Sequence, residues 1–353
     1  MSLTDTILTD PDGAEARGFD TFVAASPFAA YQQTRAWAEV APRAGRHEFL
    51  LWLAHSGTRP IAAAVIRKTV LSPGRWLATV QRGPIVHRAH DLGLALPRLL
   101  ETLGAHGCCS VQLAPRVRGR ELPVMADALR DAGFTPLADD RQPLHRATGI
   151  VWLDKPEEEI LAGFRQGLRR QLRAADKAGV SVRTVASAAD VATYQSLLDA
   201  FRAARPDYDM GGLPDATGQA HLIAALGGAM LLAEKDGRAV GAHAFVRQAD
   251  EAIWLSMATL DDDKAPRSAP LLWAAMRAAR AQGCVGYDLA GVPLADPQDG
   301  GEANRARFKA SFAPHKRILL PMQVAAVKPV SHAVLFSARE AYRGWKRRRS
   351  AAA

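Results

Sequence analysis

Cys284-Val285-Gly286-Tyr287-Asp288-Leu289-Ala290-Gly291, followed after a turn by Arg307-Phe308-Lys309-Ala310-Ser311-Phe312, is the stretch around which the chain is organised. The first eight residues read as a buried strand ending in a Gly turn. In the second part Phe308 and Phe312 stand four apart and share one face of a helix. Lys309 then points off that face, away from the core the aromatics enter. Upstream, Arg267-Ser268-Ala269-Pro270-Leu271-Leu272-Trp273-Ala274-Ala275-Met276-Arg277 is an apolar helix with a proline in its first turn. Helix, buried strand, Gly turn and a lysine between aromatic anchors predict an α/β (α+β) protein. Such a fold presents the cation at the carboxyl end of a strand, where its ligands bind.

The rest of the chain repeats this order. In the second half Glu157 to Ala178 reads as one basic helix ended by Gly179. The strand Val180-Ser181-Val182-Arg183 follows, then helices from Ala189 to Ala204 and from His221 to Leu226. Met230 to Ala233 and Ala239 to Val246 form a hairpin across Asp236-Gly237, and Ile253 to Met257 is a further strand. In the first half residues 1–20 read as a loose lead-in with the turn signal Asp10-Pro11-Asp12-Gly13. A helical stretch runs from Ser26 through Trp37 and Val40. Strands at Phe49 to Ala54 and Ile61 to Ile66 pair across Gly57-Thr58-Arg59-Pro60. Strand-like segments flank Gln81-Arg82-Gly83-Pro84. A helix (Leu92 to Ala105), a strand (Ser110 to Leu113) and a helix stopped by Gly133 complete the half. Two halves built alike predict a duplicated unit: a first domain over 1–147, with 320–353 packing back on it, and a second over 148–319 carrying the active cleft.

Length agrees, since 353 residues exceed one ordinary core. The balance of 48% hydrophobic and 23% charged residues is that of a globular protein. No apolar run approaches the roughly 18–20 residues that span a bilayer. The start Met1-Ser2-Leu3-Thr4-Asp5 lacks the basic and apolar regions of a secretory signal. The expected location is the cytoplasm, including the inner face of the membrane. Three cysteines, two of them adjacent, make neither a disulfide framework nor a spaced zinc site, and the ten histidines show no metal spacing. A net charge of +9 favours polyanionic partners, though an arginine-rich proteome gives the same sum.

Four pieces together resemble the Fem-type (FemABX) aminoacyltransferases, which are built from two tandem GNAT-like acyl-N-acyltransferase domains. They are Arg82-Gly83-Pro84-Ile85-Val86, the run from Phe164 to Val180, Ala269-Pro270 opening the long helix, and Tyr287-Asp288-Leu289-Ala290-Gly291 with Arg307-Phe308-Lys309. The resemblance runs over most of the chain, without the coiled-coil insert of some members. It implies transfer of an amino acid from aminoacyl-tRNA to an amine of a peptidoglycan precursor, lipid II or the UDP-linked pentapeptide, with no metal and no bound cofactor. It places Lys309, beside Phe308, where donor and acceptor meet. It makes Arg205, with Arg202 close behind, the contact to precursor phosphate, and sets Tyr287, Arg82 and Gly83 beside the substrate. Two positions depart from the pattern. The phosphate-binding lysine after the tryptophan is missing, leaving Arg43 as its substitute. The strand Ile253-Trp254-Leu255-Ser256-Met257 has no tyrosine.

Attack of an amine on an ester passes through an anionic tetrahedral intermediate, and a fixed cation such as Lys309 lowers that barrier. A surface lysine beside two core aromatics would look the same. Asp288 stands ready as acceptor of the amine proton, or as the cap of a turn. Arg169, Arg170, Arg173 and Lys177, three and four apart, form a basic stripe for phosphate or tRNA backbone. A solvated helix face, with Glu157, Glu158 and Glu159 at its amino end, would show the same stripe. Lys264-Ala265-Pro266-Arg267-Ser268-Ala269-Pro270 has no glycine, and its prolines remove two N–H groups, which argues against a CoA pyrophosphate there. Val330 to Arg349 reads as an amphipathic helix whose Phe336, Tyr342, Trp345 and Lys346-Arg347-Arg348-Arg349 suit an anionic membrane surface. Two other functions fit the same residues. One is a GNAT-type N-acyltransferase using acyl-CoA or another thioester on a small amine or lipid. The other is a non-catalytic RNA- or membrane-binding protein on the same fold.

Overall fold

The computed structural model describes residues 2–8, 13–42, 47–117, 119–139, 142–205, 212–260, 265–295, 300–334 and 337. In chain order the elements are β1 (Leu3–Leu8), α1 (Ala14–Ala25), a 3-10 turn (Tyr31–Gln33), α2 (Arg35–Val40), β2 (His47–Ser56), β3 (Arg59–Ser72), β4 (Arg75–Arg82), β5 (Ile85–Val86), α3 (Asp91–Ala105), β6 (Cys108–Pro115), α4 (Glu121–Asp131) and β7 (Thr135–Pro136). They continue with β8 (Ala147–Trp152), α5 (Glu157–Gly163), α6 (Gln166–Lys177), β9 (Ser181–Thr184), α7 (Ala188–Ala204), α8 (Ala216–Leu226), β10 (Gly228–Lys235), β11 (Arg238–Gln248), β12 (Glu251–Thr259), α9 (Ser268–Ala281), β13 (Gly286–Gly291), α10 (Gly300–Ala310), β14 (His315–Ile318) and β15 (Gln323–Ala326). The chain forms two compact units. One comprises Met1–Gln33, Arg43–Leu144 and Leu320–Ala353; the other comprises Thr34–Pro42 and His145–Leu319.

In the first unit one sheet runs β1-β2-β3-β4-β6-β15-β7, with β5 beside β3. All eight residues of β6 are buried, as befits a central strand. Leu92, Leu96, Leu99 and Leu103, at helical spacing, bury one face of α3 in the same core. The lead-in read as loose is in fact β1 and α1. Its signal is hidden by Asp5, whose buried carboxylate accepts from Trp52 Nε1 (2.7 Å), from Arg98 (2.8 Å) and from the Thr102 hydroxyl. Those partners lie far off in sequence. Residues 10–12 of the proposed turn are outside the described residues.

Gln33 sits buried where β3 and β4 separate. Its Oε1 accepts from Val65 N–H (2.8 Å), and its Nε2 donates to Val65 O (3.2 Å) and Gln81 O (2.7 Å), so a side-chain amide stands in for one rung of the ladder. Gly83 is glycine for this reason: a Cβ there would lie 2.4 Å from the Gln33 amide. Elsewhere in this sheet β4 and β6 pair in parallel over seven residues, from Trp76 opposite Cys108 to Arg82 opposite Pro115.

The second unit holds the sheet β14-β8-β13-β12-β11-β10-β9. Its core gathers Leu271, Leu272, Ala275, Met276 and Ala279 of α9, the crossover between the parallel strands β12 and β13. Helix α2 belongs here: Gly218 of α8 lets Val40 approach, with Val40 Cβ 3.3 Å from where a Cβ would stand, and His221 meets Glu39 at 2.9 Å.

The basic helix expected over Glu157 to Ala178 is two helices. Phe164 and Arg165 are extended (ψ 148° and 146°). The break follows from packing: Phe164 is buried edge-on against Trp273 and Phe312. Glu157, Glu158 and Glu159 therefore head α5, not α6, and cannot complement the amino end of the basic helix. Residues 329–334 are helical, and Phe336, Tyr342, Trp345 and Lys346-Arg347-Arg348-Arg349 of the expected membrane-facing tail lie outside the described residues.

Candidate active site

β12 and β13 pair over three residues only: Glu251 opposite Gly286, Ala252 opposite Tyr287 and Ile253 opposite Asp288. Both strands continue, to Thr259 and Gly291, but the ladder ends and the strands part. Each carries a bulge at this point. β12 has one extra residue, Leu255, against β11. β13 has Leu289 and Ala290 where β8 offers Gly149 alone. A bulge bends its strand, so one on each side turns the two apart. The first unit's parallel pair, closed over its full length, has no such gap.

Asp288 holds the second bulge. Its Oδ1 accepts from Ala290 N–H (2.7 Å) and from the Thr148 hydroxyl, which also lies 2.8 Å from Ala290 O. Ala290 is thereby kept at φ 58°, a conformation residues with a Cβ avoid. Gly291 follows, where a Cβ would stand 2.9 Å from His145. The Gly291 carbonyl accepts from Lys309 Nζ at 2.7 Å.

Lys309 is anchored as its spacing foretold. Phe308 and Phe312 meet edge to face at 5.4 Å, and Phe312 is buried against Phe164. Its side chain nevertheless does not run outward. Half-buried, it bridges the parting strands, with Gly291 O of β13 on one side and the Trp254 ring of β12 on the other, 5.0 Å from Nζ. Burial pulls its pKa down to about 8, against the opposing pull of the Asp288 carboxylate; the Arg305 charge adds to the lowering.

Behind this gap lies a buried polar network. The Tyr194 hydroxyl meets Ser256 Oγ at 2.7 Å, and Ser256 donates to Gln219 Oε1 at 2.6 Å. His243 Nδ1 faces Ser256 O at 2.8 Å and its Nε2 faces the Tyr287 hydroxyl at 2.6 Å. A carbonyl only accepts, so Nδ1 carries the proton and Tyr287 donates to Nε2. Burial pushes the Tyr287 phenol well up and the His243 ring down to about 3. The free value for histidine is 6.5. Between pH 6.5 and about 3 the unfolded chain takes up a proton that the native ring refuses, so stability falls as pH falls through that window. Urea titrations from pH 7 to 4 should show His243→Gln losing stability with acid less steeply than wild type; equal slopes would refute the assignment.

The remaining predicted residues are placed separately. Tyr287 lies beneath the gap, on the strand that ends in it. Arg202 pairs with Asp199 (3.1 Å) near the carboxyl end of α7, and Arg205 caps that helix with its guanidinium 4.5 Å from the Phe201 ring centre. Arg82 is buried and Gly83 encloses Gln33, both within the first unit. Arg43 lies outside the described residues. Arg170, Arg173 and Lys177 are exposed along α6 with Arg169 half-buried. The helix starts beside the site, since Arg165 N–H donates to Ser311 O (2.9 Å), two residues beyond Lys309. Trp254, His243, Ser256 and Gln219 were not anticipated as site residues. The histidine within Ala242-His243-Ala244-Phe245 and the serine within Trp254-Leu255-Ser256-Met257 are visible in the sequence as polar residues in apolar strands. Among the described residues no cluster of His, Cys, Asp and Glu could hold a metal, and no helix is long and apolar enough to cross a membrane.

Residues 162–310 match the acetyltransferase (GNAT) domain family. No curated protein matches the sequence. Among solved structures the chain is similar to FemX, at 15% identity over 94% of this chain and 99% of that one, with a TM-score of 0.76. It is similar to a tandem GNAT protein from the clavulanic acid biosynthesis pathway, at 14% identity over 92% and 99%, with a TM-score of 0.53. It is also similar to the C-terminal domain of a lysylphosphatidylglycerol synthetase candidate from Agrobacterium fabrum, at 16% identity over 78% and 83%, with a TM-score of 0.50. A GNAT acetyltransferase domain is thus matched across most of the second unit, and along nearly its whole length the chain has the tandem GNAT fold it shares with these structures.

Proposed function

We propose that the second unit transfers an aminoacyl group from aminoacyl-tRNA to an amine of a peptidoglycan precursor, lipid II or the UDP-linked pentapeptide. One observation carries this reading: the Lys309 ammonium bridges the mouth of the parted β12–β13 pair, at the position the Fem resemblance assigns to the meeting of donor and acceptor. The acceptor nitrogen attacks the ester carbonyl and forms the C–N bond of a tetrahedral intermediate, whose collapse breaks the C–O bond to the tRNA ribose. The amine proton ends on the leaving ribose oxygen. Lys309, with a pKa of about 8, carries its charge at neutral pH and faces the oxyanion of the intermediate. Asp288 acts through the bulge it holds, aiming Gly291 O at Lys309.

Arg205 and Arg202 are assigned to precursor phosphate by the same resemblance. Arg169, Arg170, Arg173 and Lys177 suit the tRNA backbone by charge and exposure. The loop before α9 and the first turn of the helix offer little to a CoA pyrophosphate: Pro266 and Pro270 lack N–H groups, and the Arg267 guanidinium folds back onto Ala265 O (3.2 Å) and Leu260 O. The name of one neighbour, a lysylphosphatidylglycerol synthetase candidate, describes an aminoacylated lipid, in keeping with transfer of an aminoacyl group.

The test is transfer of labelled amino acids from a total charged-tRNA pool to each precursor, with an acyl-CoA panel alongside. Labelled precursor establishes the reaction and names the amino acid. Transfer from CoA alone, with none from tRNA, overturns it.

A further inference from the structure

We infer that Trp254, seated edge-on by His243, is the positioning residue that holds the Lys309 ammonium in the gap between β12 and β13. This rests on Lys309 being the charged group of the site proposed above. Trp254 is the first residue of β12 beyond the last pair with β13. It therefore stands where the ladder no longer fills the space, and its ring lies 5.0 Å from Lys309 Nζ. A cation over an indole face is attracted by the ring quadrupole, more strongly where water is excluded.

The ring is itself fixed. His243 meets it at 5.3 Å with planes at 86°. His243 is locked by its two hydrogen bonds, one to Ser256 on the same strand as Trp254 and one from Tyr287 on β13. The bracing histidine is neutral, so it does not repel the ammonium. Tyr287 keeps its proton as well. The charges that act on Lys309 are Asp288 on β13 and Arg305 on its own helix. Lysine is flexible, with four carbons between backbone and charge. Gly291 O alone fixes one direction of its ammonium. Trp254 closes the opposite side, which turns a mobile cation into one held at a single point, as electrostatic stabilisation of a transition state requires.

Two measurements test this. The first needs no substrate. Indole emission is followed from pH 6 to 10 in wild type, Trp254→Phe and Lys309→Met. The wild type should show a step with midpoint near 8, absent from both variants. A step that persists in either variant, or no step in wild type, overturns the contact. The second is steady-state transfer. Trp254→Leu should lose at least tenfold in kcat with KM within about twofold, and Trp254→Phe, which keeps an aromatic face, should recover most of it. Wild-type kcat in Trp254→Leu, alongside an inactive Lys309→Met, overturns the positioning role and leaves the proposed reaction standing. A correct emission step without transfer to any precursor sinks the proposed reaction and keeps the contact.

Discussion

Replacing Lys309 by alanine should cut the rate of transfer by about 10²- to 10³-fold, close to 3–4 kcal/mol of lost oxyanion stabilisation, with the fold intact. The fold survives because the native state gains nothing from this charge. Its pKa of about 8 lies below the free value of 10.5. The native chain thus sheds the proton first, and stability rises with pH between about 8 and 10.5. The same numbers shape the rate. A lysine-like acceptor amine has a pKa near ~10.4, so below pH 8 the rate climbs tenfold per unit as the free amine accumulates. Above 8 the loss of the Lys309 charge cancels that climb, and the profile should level off. In Lys309→Arg the cation no longer titrates, and a slower enzyme should keep climbing towards 10. A wild-type profile that rises unbroken through pH 8, or an alanine variant within threefold of wild type, removes Lys309 from the chemistry.

The second large effect is on stability. Glu251 is fully buried, and its carboxylate takes both guanidinium nitrogens of Arg317, at 2.7 and 3.0 Å. The pair ties the first residue of β12 to the edge strand β14. It sits two residues before the parallel ladder ends, so it braces the closed end of the pair. Glu251→Ala leaves a largely buried cation uncompensated and should cost about 3–5 kcal/mol. Replacing both partners, Glu251→Leu with Arg317→Met, should recover much of that, because the desolvation of two charges disappears with them. Urea midpoints at constant m-value check this. A single variant within 1 kcal/mol of wild type, or a double variant no better than the single one, would show that the ion pair is not what braces the strands.

The sequence made local features legible. The hairpins β2–β3 and β10–β11 announce themselves through Gly57 and Asp236-Gly237, and the strand ending at Gly291 through its apolar run. Lys309 was found because the two phenylalanines that anchor it are near neighbours in sequence. What stayed hidden depends on distant partners. Asp5 looks like a loop residue until Arg98, Trp52 and Thr102 gather around it. The break at Phe164 is hinted at in the sequence only by Gly163 and Gly167, and packing against Trp273 and Phe312 fixes where it falls. The parting of β12 and β13 comes from register, and no residue type encodes it. Trp254 was noted merely for not being tyrosine, since the lysine it faces lies far along the chain.

The place of β15 has a consequence for how the protein is made. It lies between β6 and β7 in the first unit's sheet, pairing Gln323 to Ala326 with Ser110 to Leu113 and carrying β7 on its other side. Yet among the described strands it is the last translated, after β14 has finished the second unit's sheet. On the ribosome, the unit begun first therefore closes last, reversing the usual order in which amino-terminal domains fold first. Until residue 326 emerges, β6 is a bare apolar edge of the kind that pairs with strangers. The nascent chain should be most dependent on chaperones late in synthesis, when its second unit is already whole.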